Sequence, residues 1–476
     1  MTEPKKRFSK QLNPTDLTAG RYGTEDMVNI WGAKKTFEYS LKVQAQAAKT
    51  LSKLYPDIVG LEQAEEIESK ANLKDVNPDR IREIEAKTGH DVIAINTALE
   101  EQVSKEAGAH INKAKTSADT TSPARALQLK ESLKVIADSV ENLRDILLEK
   151  AELWKDKPNM DQSHLYDALP SVAGRPLVHY AELLQSGLNL LKYVYDNSII
   201  GKWADATGNH HSATALGING VELQKQYCED LGVGYMDAPG QLPGLEYEAD
   251  VFYVLSRLSE TMNNIAKYIA LGRSDDVNIF INSDPKRKKG SSAMPHKDAK
   301  NGNPVIEEQI MSLRNFMQGN LITAVANCEI PYARNLAASS NARINFEDGF
   351  KFLDHGIRRL ATIVYWIKLR EDRAKERVLR SYGVVTSQQV MTYLTDSRKT
   401  DKPMTRSEAH DLMGDLATKA WEEKTPFIDI LLKNEEVTSR LDEKVLRSIT
   451  DPLKYVGQSK EIIDIVKSKY YKKSTL

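Results

Sequence analysis

Between Lys286 and Glu308 the chain reads Lys-Arg-Lys-Lys-Gly-Ser-Ser-Ala-Met-Pro-His-Lys-Asp-Ala-Lys-Asn-Gly-Asn-Pro-Val-Ile-Glu-Glu. These residue types suit anion binding or serine chemistry. Gly290 allows a tight turn, which can leave consecutive N–H groups free to hold an anion or to stabilise a serine alkoxide. Pro295 and Pro304 remove backbone donors and bias the residues before them away from helix. The segment is therefore a long loop between two helical stretches. Loops of this length in compact domains are usually functional or disordered, so the alternative reading is a solvated basic connection.

Other clusters along the chain carry similar chemistry. Arg21-Tyr22-Gly23 precedes a helix start capped by Thr24. His90-Asp91 follows Thr88-Gly89, and Thr116-Ser117-Ala118-Asp119 is followed by Pro123, which fits a helix start. His164 stands in Ser-His-Leu-Tyr-Asp-Ala-Leu-Pro-Ser-Val-Ala-Gly, a stretch that reads as a loop before a helix. Lys202 precedes Thr207-Gly208-Asn209; His210 and His211 point apart on a helix and make a poor metal pair. Gln241 stands before an acidic stretch. Arg334, Ser339 and Arg343 place two guanidiniums and a hydroxyl on one segment, a set suited to a nucleotide phosphate through bidentate, charge-assisted bonds. Taken singly, each cluster also reads as a cap, a loop closure or a surface pair.

In sequence, Gly290-Ser291-Ser292-Ala293-Met294-Pro295-His296-Lys297 with Asn303-Pro304 and Glu308 resembles the signature loop of the fumarase/aspartase superfamily. Its Ser-Ser-Ala-Met-Pro-His-Lys core is most similar to the adenylosuccinate lyase family. The other clusters fall in that family's order, so the resemblance covers nearly the whole chain. There are departures. Four extra residues separate Lys297-Asp298 from Asn303-Pro304, leaving Asn301 and Asn303 as alternatives for the family's asparagine. Gly89 and Ala333 replace charged residues, and Ser163 replaces a threonine.

The resemblance implies a reaction, elimination of fumarate from a succinylated amine, and a division of roles. Ser291 would be the base. A free serine is too weakly acidic, so Gly290, the loop backbone and Lys297 would stabilise its alkoxide. His164 would be the acid, since imidazole titrates near neutral pH. His90 would contact the substrate, and Thr116 and Ser117 would hold its succinyl carboxylates. Arg21, Tyr22, Lys202, Arg334, Ser339 and Arg343 would hold phosphate and carboxylates. Asp91, Gln241, Ser292, Met294 and Asn303 complete the implied binding set. The resemblance also implies a homotetramer whose sites each draw on three chains, with His164 and Ser291 from different subunits. It calls for no metal and no organic cofactor. Another lyase of the superfamily, such as an argininosuccinate lyase, is opposed by the Arg21-Tyr22 start and by Arg334 and Arg343. An inactive structural homologue is opposed by the intact Ser291, His164 and Lys297.

The elements that must position these residues are helices. Leu133, Ile136, Val140, Leu143 and Leu147 recur at spacings of three and four. So do Val251, Leu255, Leu258, Met262, Ile265 and Ile269, then Ile306, Ile310, Leu313, Met317 and Leu321, and later Ile357, Leu360, Val364 and Ile367. This is the period of amphipathic helices packing in a bundle. The expected class is all-α, and the resemblance makes it fumarase/aspartase-like: an N-terminal helical domain over 1–119, a central long-helix bundle over 120–372, and a C-terminal helical domain over 373–476.

Composition narrows the function. The 476 residues hold 66 Lys and Arg against 67 Asp and Glu, without the basic excess of a nucleic-acid-binding protein. Two cysteines, Cys228 and Cys328, make neither a disulfide framework nor a zinc site, which fits a reducing cytoplasm. No apolar run reaches the ~20 residues of a membrane span, and residues 1–20 read as a polar, poorly ordered stretch without a signal peptide. The resemblance implies a small nucleotide as the partner.

Overall fold

The apolar stripes wind into long helices that share their buried faces. A computed structural model describes residues 19–286, 291–297, 302–330 and 333–476. Gly290, Asn301 and the polar stretch 1–18 lie outside the described residues. The helices that matter for the site are α1 (Ala33–Leu54), α2 (Pro78–Thr88), α3 (Asp91–Glu100), α4 (Ala118–Leu153) and α5 (Arg175–Asn197). They continue with α6 (Glu246–Gly272), α7 (Val305–Ala326), α8 (Ala337–Trp366), α9 (Glu371–Leu379) and α10 (Ser459–Tyr470). Three two-stranded pairings punctuate them. β1 (Pro158–Ser163) and β2 (Tyr166–Val172) form a hairpin; β3 (Ile200–Gly201) runs parallel to β4 (Gly234–Tyr235); β5 (Phe280–Asn282) runs antiparallel to β6 (Ile367–Leu369).

The bundle is built as the periodicity predicts. Leu133, Ile136, Val140, Leu143 and Leu147 of α4 are fully enclosed, as are Val251, Leu255 and Ile265 of α6 and Ile357 and Leu360 of α8. Helix α6 packs along α7, α4 along α5, and α8 lies against α4, α6 and α7. Burying one such side chain is worth roughly 1.5–3 kcal/mol, so these rows dominate the fold's stability. The stripe of α7 is different. Ile306, Ile310 and Met317 are buried, Leu313 and Leu321 only half-buried, and Phe316, Ile322 and Val325 face outward.

Several expectations are corrected. Thr24 does cap the short helix Glu25–Ile30, accepting a bond from the Met27 N–H. Helix α4, however, begins five residues before Pro123, because the Asp119 carboxylate turns back to accept the Thr116 N–H at 2.9 Å. Residues 158–172 form a hairpin instead of a loop before a helix. Among the described residues, Met27, Leu41, Val59, Ile81 and Leu99 of the N-terminal stretch pack into the same apolar core as the bundle. A second core, from Val384 to Ile449, belongs to the C-terminal part alone. Helix α10 then leaves that part and returns Ile463 and Val466 to the main core, packing on α5 and α4.

Candidate active site

The bundle has two ends, and its long helices keep them apart. At one end the starts of α4, α6 and α8 meet the start of α3 around a cavity of about 930 Å3. The cavity gathers His90, Ser117, Gln241, Arg334, Ser339 and Arg343, with Asp91 and Thr116 also in its wall. Local sequence explains the placement of His90. Gly89 closes α2 in the left-handed region at φ +67°, where glycine is favoured, and this turns His90 into the N-cap position of α3. The His90 Nε2 then lies 3.2 Å from the Ser117 Oγ, and Nδ1 lies 3.4 Å from the Asp91 carboxylate. Arg343 pairs with the other Asp91 oxygen at 3.2 Å. The chain on either side of Gln241 is tied down as well. The Gln241 N–H donates to the Ala333 carbonyl at 3.2 Å, and Arg334 Nη1 donates to Gln241 Oε1 at 3.0 Å. Gly240 is required here, because a Cβ would sit 2.9 Å from that same carbonyl. Burial lowers the pKa of Arg334, and nearby Arg125 adds to the effect.

The serine loop occupies the opposite end. Helix α6 has 27 residues, which separates Gln241 from the loop by roughly 40 Å along the axis. The Ser291 Oγ accepts two backbone bonds, from the Ala293 N–H at 3.3 Å and the Met294 N–H at 3.1 Å. Two oriented donors on one hydroxyl oxygen are what an alkoxide needs. Lys297 Nζ donates to Asn303 Oδ1 at 3.3 Å, and the Lys297 N–H closes a turn on the Met294 carbonyl. Ser292 and Met294 are exposed beside them. The loop is clamped at both flanks. The Ser283 N–H bonds the Trp366 carbonyl at 3.1 Å, and Arg273 donates to the Gly302 carbonyl at 3.0 Å and to Glu307 at 2.5 Å.

His164 is also at this end. Trp154, just after α4, stacks on Phe280 of β5, and the hairpin follows. His164 and Leu165 form its two-residue turn, at φ +52° and +66°. Such a turn normally takes asparagine or glycine, so both residues are strained. His164 is exposed, as are Leu165 and Tyr166 at 80 % and 81 %. Asp167 ties the hairpin to α9 through Arg377 and, at 2.5 Å, Arg380.

Three expected binding residues stand elsewhere. Lys202 does not line the cavity: it is fully enclosed, paired with the equally enclosed Asp119, and donates to the Asp205 carbonyl. Asp119 also accepts the Ala204 and Asp205 N–H groups, so the pair locks the start of α4 to the strand β3 segment. Tyr22 packs edge-on against Phe352 and His355 of α8, roughly 20 Å along that helix from Ser339. Arg21 is exposed beside it.

Sequence reasoning missed Arg125 and Glu248, which line the cavity as a pair 2.9 Å apart. A lone arginine in Pro123-Ala124-Arg125-Ala126-Leu127 was the available signal. It missed the Arg273–Glu307 clamp too, because Arg273 lies outside the loop stretch and Glu307, though inside it, is not one of the matched positions. Among the described residues no cluster of three His, Cys, Asp or Glu side chains is placed to hold a metal, and no helix is long and apolar enough to cross a membrane.

Known proteins are similar to this chain in sequence and in fold. The sequence model of a lyase family matches residues 16–315, and that of the adenylosuccinate lyase C-terminus matches residues 383–466. The chain is 31 % identical to an adenylosuccinate lyase of Methanocaldococcus jannaschii, over 96 % of this chain and 95 % of that one. It is 29 % identical to one of Pyrococcus abyssi, over 96 % and 97 %. Among solved structures, a fumarate lyase from a Mesorhizobium species superposes with a TM-score of 0.79 at 20 % identity, over 94 % of this chain and 98 % of that one. A 3-carboxy-cis,cis-muconate lactonizing enzyme from Pseudomonas putida gives 0.79 at 18 %, over 94 % and 97 %. These last two likenesses concern the fold alone.

Proposed function

The chain belongs to the adenylosuccinate lyase family of the fumarase/aspartase superfamily, and on that premise we propose how its residues divide the reaction. It is a carbon–nitrogen lyase that eliminates fumarate from adenylosuccinate and leaves AMP. The observation that carries the reading is the cavity: segments far apart in sequence bring His90, Ser117, Gln241, Arg334, Ser339 and Arg343 to one wall. Those groups bind anions and amides, which suits a phosphorylated, succinylated nucleotide.

In this reading Ser291 removes the proton beside a succinyl carboxylate. Its two backbone donors and the nearby Lys297 hold the alkoxide form. Electrons pass into the carboxylate, the carbon–nitrogen bond breaks, and His164 protonates the leaving nitrogen. Ser117 and Thr116 hold a carboxylate; Arg334, Ser339 and Arg343 hold the phosphate. Asn303, already bonded to Lys297, is the better of the two candidate asparagines.

The serine loop cannot reach the cavity of its own chain across roughly 40 Å of helix. A homotetramer with shared sites removes the difficulty. The outward Phe316, Ile322 and Val325 of α7 and the exposed, strained hairpin tip supply apolar surface for it. The role belongs to cytoplasmic purine biosynthesis, where the succinylated imidazole carboxamide nucleotide is a second substrate of the same chemistry. The test is direct. Purified enzyme given adenylosuccinate should release fumarate and AMP in equal amounts. No fumarate from adenylosuccinate, with fumarate formed from argininosuccinate, would overturn the assignment.

A further inference from the structure

We infer that Arg125 is an additional guanidinium for the substrate, closing with Arg334 on the phosphate in the cavity. The inference rests on the reading of the cavity given above and extends it to a residue outside the motif. Arg125 is held rigidly. Its Nη1 donates to Glu248 Oε1 at 2.9 Å, which ties α4 to α6. The guanidinium face lies over the Phe346 ring, with Cζ 5.3 Å from the centroid. Phe346 is itself stacked on Trp31, at 5.4 Å and within 2° of parallel. The guanidinium is thus held against a stacked aromatic pair and by Glu248, which uses one of its five N–H groups.

Arg334 shares the cavity wall and has donors to spare. Its bond to Gln241 uses Nη1, and its Nε is enclosed with no acceptor among the described residues. An enclosed donor without a partner is costly unless a ligand supplies one. The two cations also oppose each other, since Arg125 disfavours the charge on Arg334. A dianion between them relieves the repulsion and satisfies the idle donors together. A phosphate monoester, with three oxygens and nearly two charges, fits this better than a single carboxylate. A purely structural role for Arg125 would end at Glu248 and Phe346 and would be indifferent to the ligand's phosphate.

The experiment compares the assembled wild-type enzyme with Arg125→Gln. Calorimetry with AMP and with adenosine isolates the phosphate. The substitution should weaken AMP binding about 10–100-fold and leave adenosine binding within about twofold. Inhibition by inorganic phosphate should weaken in parallel, and KM for adenylosuccinate should rise more than kcat falls. Equal losses for AMP and adenosine would overturn the inference, as would unchanged AMP binding. Should Arg125→Gln fail to assemble, Arg125→Lys serves. It keeps the charge but loses the planar fork, so it should discriminate against AMP alone by a smaller factor. Equal losses there would be equally fatal. Failure of the wild type to cleave adenylosuccinate would count against the proposed reaction, and the AMP and phosphate titrations would still decide the role of Arg125.

Discussion

The two ends of the bundle are built on opposite principles. At the cavity end, the side chains sit on helix starts and short, braced turns, backed by Trp31 and Phe346 and held by bonds that cross between segments. At the other end, the serine sits on an exposed loop clamped only at its flanks, beside a strained hairpin tip. In the proposed division of roles, one end recognises and the other carries the base and the acid. Rigid elements suit recognition because they lose little on binding. A loop suits chemistry because it can close over substrate and exclude water. On that proposal, the roughly 40 Å between them leaves each end an incomplete site.

The largest expected effect separates the two roles. Ser291→Ala should lower turnover by ~10²–10⁴ or more with little change in substrate affinity, read by stopped assay and calorimetry. Turnover that survives this change but is abolished by Ser292→Ala would move the base one residue on. Next comes the clamp. The Arg273 and Glu307 side chains are 4 % and 0 % exposed, so Arg273→Met strands a buried carboxylate and should cost about 3–5 kcal/mol in denaturant unfolding. A loss under about 1 kcal/mol would mean that the serine loop is anchored by other contacts.

A smaller effect comes from between the ends, at His355. Burial, with Arg359 and Arg358 nearby, pushes its imidazole down to about 4, against about 6.5 in the unfolded chain. The unfolded chain therefore takes up the proton first. This contribution is fully present above about pH 6.5 and is lost as pH falls toward about 4, by up to about 3 kcal/mol. His355→Gln should lose less stability than the wild type between pH 7 and 4.5. Parallel pH slopes would remove His355 from the account.

How much of this could be read from the chain alone depends on how local the signal was. The stripes of α4, α6 and α8 are periodic over many turns, and burial follows them residue by residue. The serine motif is contiguous, so its loop was legible too. The hairpin was not, since neither β1 nor β2 alternates cleanly between buried and exposed residues. The β5–β6 pairing joins segments far apart in sequence and has no local signature. The placement of Lys202 was not legible, because a motif does not say which way a lysine points; here Asp119 draws it inward. Arg125 acquired meaning only when α6 and the Arg334 segment packed around it.

The central claim is that no single chain holds a whole site. Ser291→Ala and His90→Ala remove one proposed function from each end, and each variant, in the proposed homotetramer, should be inactive. Unfolded together in equal amounts and reassembled, they form sites that draw His90 and Ser291 from different chains. Both residues are then wild type in about one quarter of sites under symmetric assembly. Recovery near a quarter of wild-type turnover, in mixed tetramers verified by mass, is the predicted result. Activity no higher than in either parent would contradict it, because a site built from one chain can never combine the two wild-type residues.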